Sequence, residues 1–162
     1  MSPTARIWSA PGSASRWWTD VSAAENKRVV LDFLKALSAG DRDTARARFH
    51  EDATWHYPPS MGGPGVHRGR DAIFDVYFAV DEELYETGTR EYDIEILGVV
   101  AEGPAVAVEM RHRGRTLAGR PYETDYHVLY ELRDGKICAV REYFDSLYVQ
   151  RVLGLGPRGE PT

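Results

Sequence analysis

Residues Tyr122–Leu153, YETDYHVLYELRDGKICAVREYFDSLYVQRVL, read as two long strands around a tight turn, followed by a short helix. Arg133-Asp134-Gly135-Lys136 is the turn, because Asp-Gly supplies the positive φ that a two-residue hairpin loop needs. Beyond it the side chains alternate. Cys138, Val140, Glu142 and Phe144 share one face, and Ile137, Ala139, Arg141, Tyr143 and Asp145 share the other. Glu142 therefore stands as a carboxylate in an apolar row. It is either paired with an arginine across the sheet or a working group.

Working outward, the preceding stretch AVAVEMRHR is a strand with Val106, Val108, Met110 and His112 on one face. Ala105, Ala107, Glu109, Arg111 and Arg113 form the other. Tyr92, Ile94 and Ile96 alternate with Asp93 and Glu95 in a strand before that. Thr124, Tyr126, Val128 and Tyr130 share a face of the hairpin. Upstream, the spacing of Val29, Val30, Phe33, Leu34 and Leu37 predicts a helix from Ala23 that Gly40 ends. Asp41 is placed to cap a second helix, DRDTARARFHED. A short strand, ATWHY, follows and halts at Pro58-Pro59. PPSMGGPGVHRG is a loop by composition. Residues 69–84 form a third helix with Ile73, Val76, Tyr77 and Val80 inside. The plan is α+β: a curved, mostly antiparallel sheet wrapped around the N-terminal helices, with a cavity between the layers. Residues 1–22 are an arm carrying Trp8, Trp17 and Trp18, 23–153 the domain, and 154–162 a Pro/Gly tail.

Composition limits the function classes. The chain has 162 residues, a net charge of −5 and no basic cluster, so nucleic acid is not an expected partner. No apolar run is long enough for a membrane span. The single cysteine, Cys138, reads as a small core residue in a reducing compartment, and the expected location is cytoplasmic. Nine Tyr, four Trp and five Phe suffice to line an apolar pocket. The five histidines lack metal-ligand spacing, and neither a phosphate loop nor GxSxG is present. No cofactor or metal is expected.

Two ionisable groups lie on apolar faces, Glu142 and His112. If the faces line one concave side, they sit with Trp55, Tyr57, Tyr126 and Tyr130 in an aromatic pocket. Desolvation would raise the Glu pKa and lower the His pKa, and mutual pairing would oppose both. Such a pair can exchange protons near neutral pH. The plainer readings are a half-exposed histidine, a core Tyr57 and an Asp145 that only caps the last helix.

NKRVVLDFLKALSAGD with ARFHEDATWHYPP, GVHRGRDAI, and YELRDGKICAVREYFDSL together resemble the cone-shaped nuclear-transport-factor-2-like superfamily, especially SnoaL-like polyketide cyclases and limonene epoxide hydrolases. The resemblance spans roughly residues 23–153. It implies a cone fold that hosts isomerases, cyclases, dehydratases, hydrolases and binders. The proton-moving acid of ketosteroid isomerases falls at Tyr57 and their oxyanion-binding tyrosine at Phe33, so that route is not implied. The water-activating carboxylate of the epoxide hydrolases falls at Glu142. Their Arg-x-Asp pair falls at Met110 and His112 when aligned on Glu109, or at Glu109 and Arg111 without a gap. Neither register reproduces Arg-x-Asp. The expectation is a cofactor-independent acid–base enzyme opening an epoxide of a small, apolar polyketide- or terpenoid-type metabolite. Glu142 would be its base, with His112 or Tyr57 at the departing oxygen. Trp55, Phe33, Tyr126, Leu37 and Met110 would shape the pocket. The alternatives are a dehydratase or double-bond isomerase, or a non-catalytic binding or dimerisation domain. A homodimer is expected, through the sheet face of Glu109, Arg111, His127 and Tyr143.

Overall fold

The structure, a computed structural model, describes residues 22–79 and 92–154. Most of the expected 1–22 arm with its three tryptophans, residues 80–84 of the expected third helix, and the tail after Gly154 lie outside the described residues. Helix α1 spans Ala23–Ser38 and opens with a capping box, Ser22 accepting from the Glu25 N–H while the Glu25 carboxylate accepts from the Ser22 N–H. Asp41 caps α2, Arg42–Ala47, by accepting from the Thr44 N–H. The second helix ends here, five residues short of the expected Asp52. Strand β1, Phe49–His56, takes over instead. The reason is tertiary. Phe49 is fully buried against Phe33, with ring centroids 5.0 Å apart, and the Ile137 N–H donates to the Arg48 carbonyl.

The expected loop before the third helix contains a further strand, β2 (Val66–Arg68), paired antiparallel with Thr54–His56. The third helix begins as α3, Arg70–Ala72, and widens into a π-helical turn, Ile73–Tyr77, in which the Phe78 N–H reaches the Ile73 carbonyl. This winding corrects the expected inner face. With more residues per turn, Ile73, Phe74 and Phe78 are buried, while Val76 is turned out and 53% exposed.

Four strands complete the sheet: β3 (Asp93–Glu102), β4 (Ala105–Arg115), β5 (Pro121–Arg133) and β6 (Lys136–Phe144). The order is β2-β1-β6-β5-β4-β3, an open, mixed sheet in which only the β1–β6 pairing is parallel. Helix α1 packs across it on β3, β4 and β6. The core between the layers holds Val30, Phe33, Phe49, Val108, Val128 and Val140, all fully buried. Asp134 and Gly135 have φ of 51° and 72°, the pair of positive values that a type I′ hairpin requires.

One irregularity in β6 changes the expected faces. Glu131 pairs with Ala139 but its neighbour Leu132 pairs with Ile137, so Cys138 is an extra residue in a bulge. Ile137 turns into the core at 0% exposure, and Cys138 is only half-buried, its thiol against the Glu131 carbonyl. Beyond the bulge the alternation recovers, and Val140 and Glu142 face inward as expected. Helix α4, Ser146–Leu153, closes the domain with Asp145 as its cap and Gly154 at φ 69° ending it. No helix among the described residues is long and apolar enough to cross a membrane.

Candidate active site

A cavity of about 40 Å³ lies between the sheet and the helices. Leu34 and Leu37 reach it from α1, Trp55 from β1, and Tyr77 and Phe78 from the π-helical turn. The sheet contributes Met110 and His112 from β4, Tyr122, Tyr126 and Tyr130 from β5, and Glu142 from β6. A larger open groove of about 370 Å³ between α1 and β3 is lined mainly by leucines, isoleucines and Lys35. It lacks convergent polar groups, so the smaller cavity is the candidate site.

Glu142 is 5% exposed, and the Tyr77 hydroxyl donates to its Oε1. Strand parity puts the carboxylate inside, and the π-helical turn carries the tyrosine to it. The turn is itself held. Arg42 donates from Nη1 to the Phe74 carbonyl at 2.9 Å and from Nη2 to the Phe78 carbonyl. The Tyr77 ring is backed by Tyr57 at 5.4 Å and Trp55 at 5.3 Å.

His112 also lines the cavity, at its far end beside the rings of Tyr126 (4.9 Å) and Tyr92 (5.6 Å). Its Nε2 is buried with no hydrogen-bond partner among the described residues. Burial pushes its pKa down to about 4, so the imidazole is neutral at pH 7. Tyr122 and Tyr126 share a hydroxyl–hydroxyl bond of 2.5 Å nearby.

The expected pairing of His112 with Glu142 does not match the register. Val108, Val128 and Glu142 form one row across β4, β5 and β6, whereas His112 is opposite Thr124, two rows further on. The two backbones are thus about 10 Å apart across two strands and about 13 Å along them. They face one cavity without touching one another. Tyr130 is nearer. It is one inward row from Val128, diagonal to Glu142, and the carboxylate's charge adds to burial in holding its hydroxyl well above the usual tyrosine pKa.

Of the remaining expected residues, Trp55, Tyr126, Leu37 and Met110 line the cavity. Phe33 and Tyr57 do not. Phe33 is fully buried among Phe49, Trp55 and Tyr130 and belongs to the core. Tyr57 follows the end of β1, where the loop captures its hydroxyl on the Gly62 carbonyl at 3.1 Å and its ring stacks on His67. A side chain on Gly63 would strike that hydroxyl, at 2.6 Å. Tyr77 escaped the sequence reading as a site residue, because a tyrosine at a core position of a helix reads as packing. Its hydroxyl on a buried face was the available signal. No group of three or more His, Cys, Asp or Glu side chains among the described residues is placed to hold a metal ion.

A sequence profile of the SnoaL-like domain matches residues 30–140. The chain belongs to the SnoaL-like family. Solved structures agree on the fold. Bal32a, from a soil-derived mobile gene cassette, is 25% identical over 81% of this chain and 98% of its own, with a TM-score of 0.70. A nuclear-transport-factor-2-like protein from Burkholderia xenovorans LB400 is 28% identical over 82% of this chain and 98% of its own, with a TM-score of 0.65. An LEH-like epoxide hydrolase from M. tuberculosis is 23% identical over 82% of this chain and 92% of its own, with a TM-score of 0.64. This SnoaL-like domain therefore has the α+β cone of its relatives, with Glu142 inside the cone.

Proposed function

We propose that this SnoaL-like protein is an acid–base enzyme that opens an epoxide in a small, largely apolar metabolite of polyketide or terpenoid type, by an internal hydroxyl or by water. The supporting observation is the Glu142 carboxylate, buried in an aromatic cavity and oriented by the Tyr77 hydroxyl. Glu142 takes the proton of the attacking hydroxyl as the new C–O bond forms and the epoxide C–O bond breaks. The departing oxygen takes a proton from a tyrosine hydroxyl of the cavity wall, and the proton on Glu142 restores the balance. The roles of the expected acids shift with geometry. Tyr57, bonded to Gly62, supports Tyr77, and neutral His112 binds the far end of the substrate. The fold shared with an LEH-like epoxide hydrolase fits this reading.

The test is turnover of a panel of epoxides and hydroxy-epoxides by wild type and Glu142→Gln. Glutamine keeps the shape and removes the base, so turnover should fall by about 10²–10⁴-fold. Near-normal turnover by the variant overturns the assignment. Proton exchange or isomerisation of enones in place of epoxide opening would move the reaction to a double-bond isomerase or dehydratase with the same base.

One observation favours a second reading, a non-catalytic small-molecule binder. The free volume of about 40 Å³ holds only about three waters, so a metabolite must displace side chains to enter. Saturable binding of an apolar metabolite with no turnover in either protein would establish it.

A further inference from the structure

Buried polar atoms in folded proteins are nearly always hydrogen-bonded, because one left alone has lost its water without a replacement partner. Trp55 Nε1, His112 Nε2 and Tyr130 Oη are buried without a partner among the described residues, and all three residues line the cavity. Two of them belong to one place. Trp55 and Tyr130 flank Val140 in a single row across β1, β6 and β5, and Glu142 is on the same face, the next inward position along β6.

The types of these atoms say what they await. An indole N–H only donates. The Tyr130 hydroxyl keeps its proton, because burial and the Glu142 charge both oppose ionisation. Two donors without acceptors therefore stand beside a carboxylate that accepts. A cation would be drawn to Glu142 but would leave both donors empty. An anion would meet the donors and be repelled by Glu142. A neutral molecule with an acceptor oxygen satisfies both.

We infer that the cavity takes a neutral, compact ligand bearing a hydrogen-bond-accepting oxygen of the ketone or epoxide class, and that the Tyr130 hydroxyl donates to that oxygen with Trp55 Nε1 as a second donor. The inference deepens the acid–base reading and rests on it for one point: the oxygen held by Tyr130 is the one that gains negative charge as Glu142 takes its proton. Sheet register makes this possible, since Tyr130 is the diagonal neighbour of Glu142 and His112 is two rows away.

The test is binding, which needs no turnover. Cyclohexanone and methylenecyclohexane differ only in the acceptor, and cyclohexanecarboxylate adds a charge. Ligand-observed NMR titration of the full chain should show cyclohexanone bound about tenfold or more tightly than methylenecyclohexane, with the carboxylate weakest. Tyr130→Phe should bring the first two within about twofold of each other, and Glu142→Gln should leave the ketone preference in place. The infrared carbonyl stretch of the bound ketone needs no variant and should move to lower frequency in the wild-type protein. Equal affinities, an unshifted stretch, or no binding of the ketone overturns the inference. The two proposals fail separately. An inactive Glu142→Gln with no ketone preference in wild type sinks this one alone, and a preserved preference with a fully active Glu142→Gln sinks the catalytic assignment alone.

Discussion

Arg111 and His112 are neighbours on β4 and face opposite sides of one sheet. On the outer side, Arg111 reaches Asp125 at 2.6 Å, and Arg113 reaches Glu95 at 2.7 Å and Glu123 at 3.1 Å. Arg141 and Glu131 pair on the same surface. These charges are matched and at least partly open to water. On the inner side the polar groups are fewer: buried Glu142 accepts from Tyr77, while His112 Nε2 and the Tyr130 hydroxyl have no partner among the described residues. The outer face has many charged groups whose individual deletion changes little, because water screens what is lost. The inner face has few polar groups, and each is expected to matter. Surface charge keeps its ordinary chemistry, and burial changes the chemistry of the same side-chain types.

The contrast can be broken or sharpened by substitution. The largest effect should come from Glu142→Gln, with a loss of about 10²–10⁴-fold in turnover while the far-ultraviolet spectrum is retained. The second is a pH effect. His112 has a folded-state pKa of about 4 against an ordinary 6.5. Between those values the unfolded chain binds a proton that the folded chain does not, so stability is full above pH 6.5 and is lost as the pH falls toward 4. The loss is on the order of 3 kcal/mol, read as the difference between wild type and His112→Gln in denaturant unfolding across that range. Identical pH profiles for the two proteins would mean that His112 is not desolvated.

Tyr77→Phe removes the donor on Glu142 and should lower kcat about tenfold with KM little changed, because the base is then less firmly oriented. An unchanged kcat would separate Tyr77 from the chemistry. The smallest effect is expected outside. Arg111→Ala should shift the thermal midpoint less than any inner-face change, and the shift should vanish in about 0.5 M salt. A larger, salt-insensitive loss would show that the outer face is covered, as in the proposed homodimer through Glu109, Arg111, His127 and Tyr143, and sedimentation would then detect the second copy.

Much of this layout was readable along the chain. The hairpin at Asp134-Gly135, the caps Asp41 and Asp145, and the inward row of Val106, Val108, Met110 and His112 follow from local rules of turn chemistry and alternation. The misreadings share a cause. Arg48 to Asp52 has helical composition, yet Phe49 leaves the helix because its ring and the Arg48 carbonyl have partners across the fold. Val66–Arg68 is a strand only because β1 offers an edge. Val76 turned out, and Phe74 in, because the third helix widens into a π turn, held where the Phe74 and Phe78 carbonyls accept from Arg42. Cys138 left the core because of a bulge that alternation cannot show.

The candidate site divides in the same way. That Glu142 shares a face with Val140 was legible in the sequence, since alternation holds between them, whereas the bulge at Cys138 that sets the phase of that face relative to the hairpin turn was decided by the pairing with β5. Which groups stand beside Glu142 was decided by strand register and helix winding. Those put Tyr77 and Tyr130 near the carboxylate, sent Tyr57 and Phe33 to supporting positions, and kept His112 two rows away. Alternation along one strand tells in from out. Only the pairing of strands distant in the chain tells which inward residues meet.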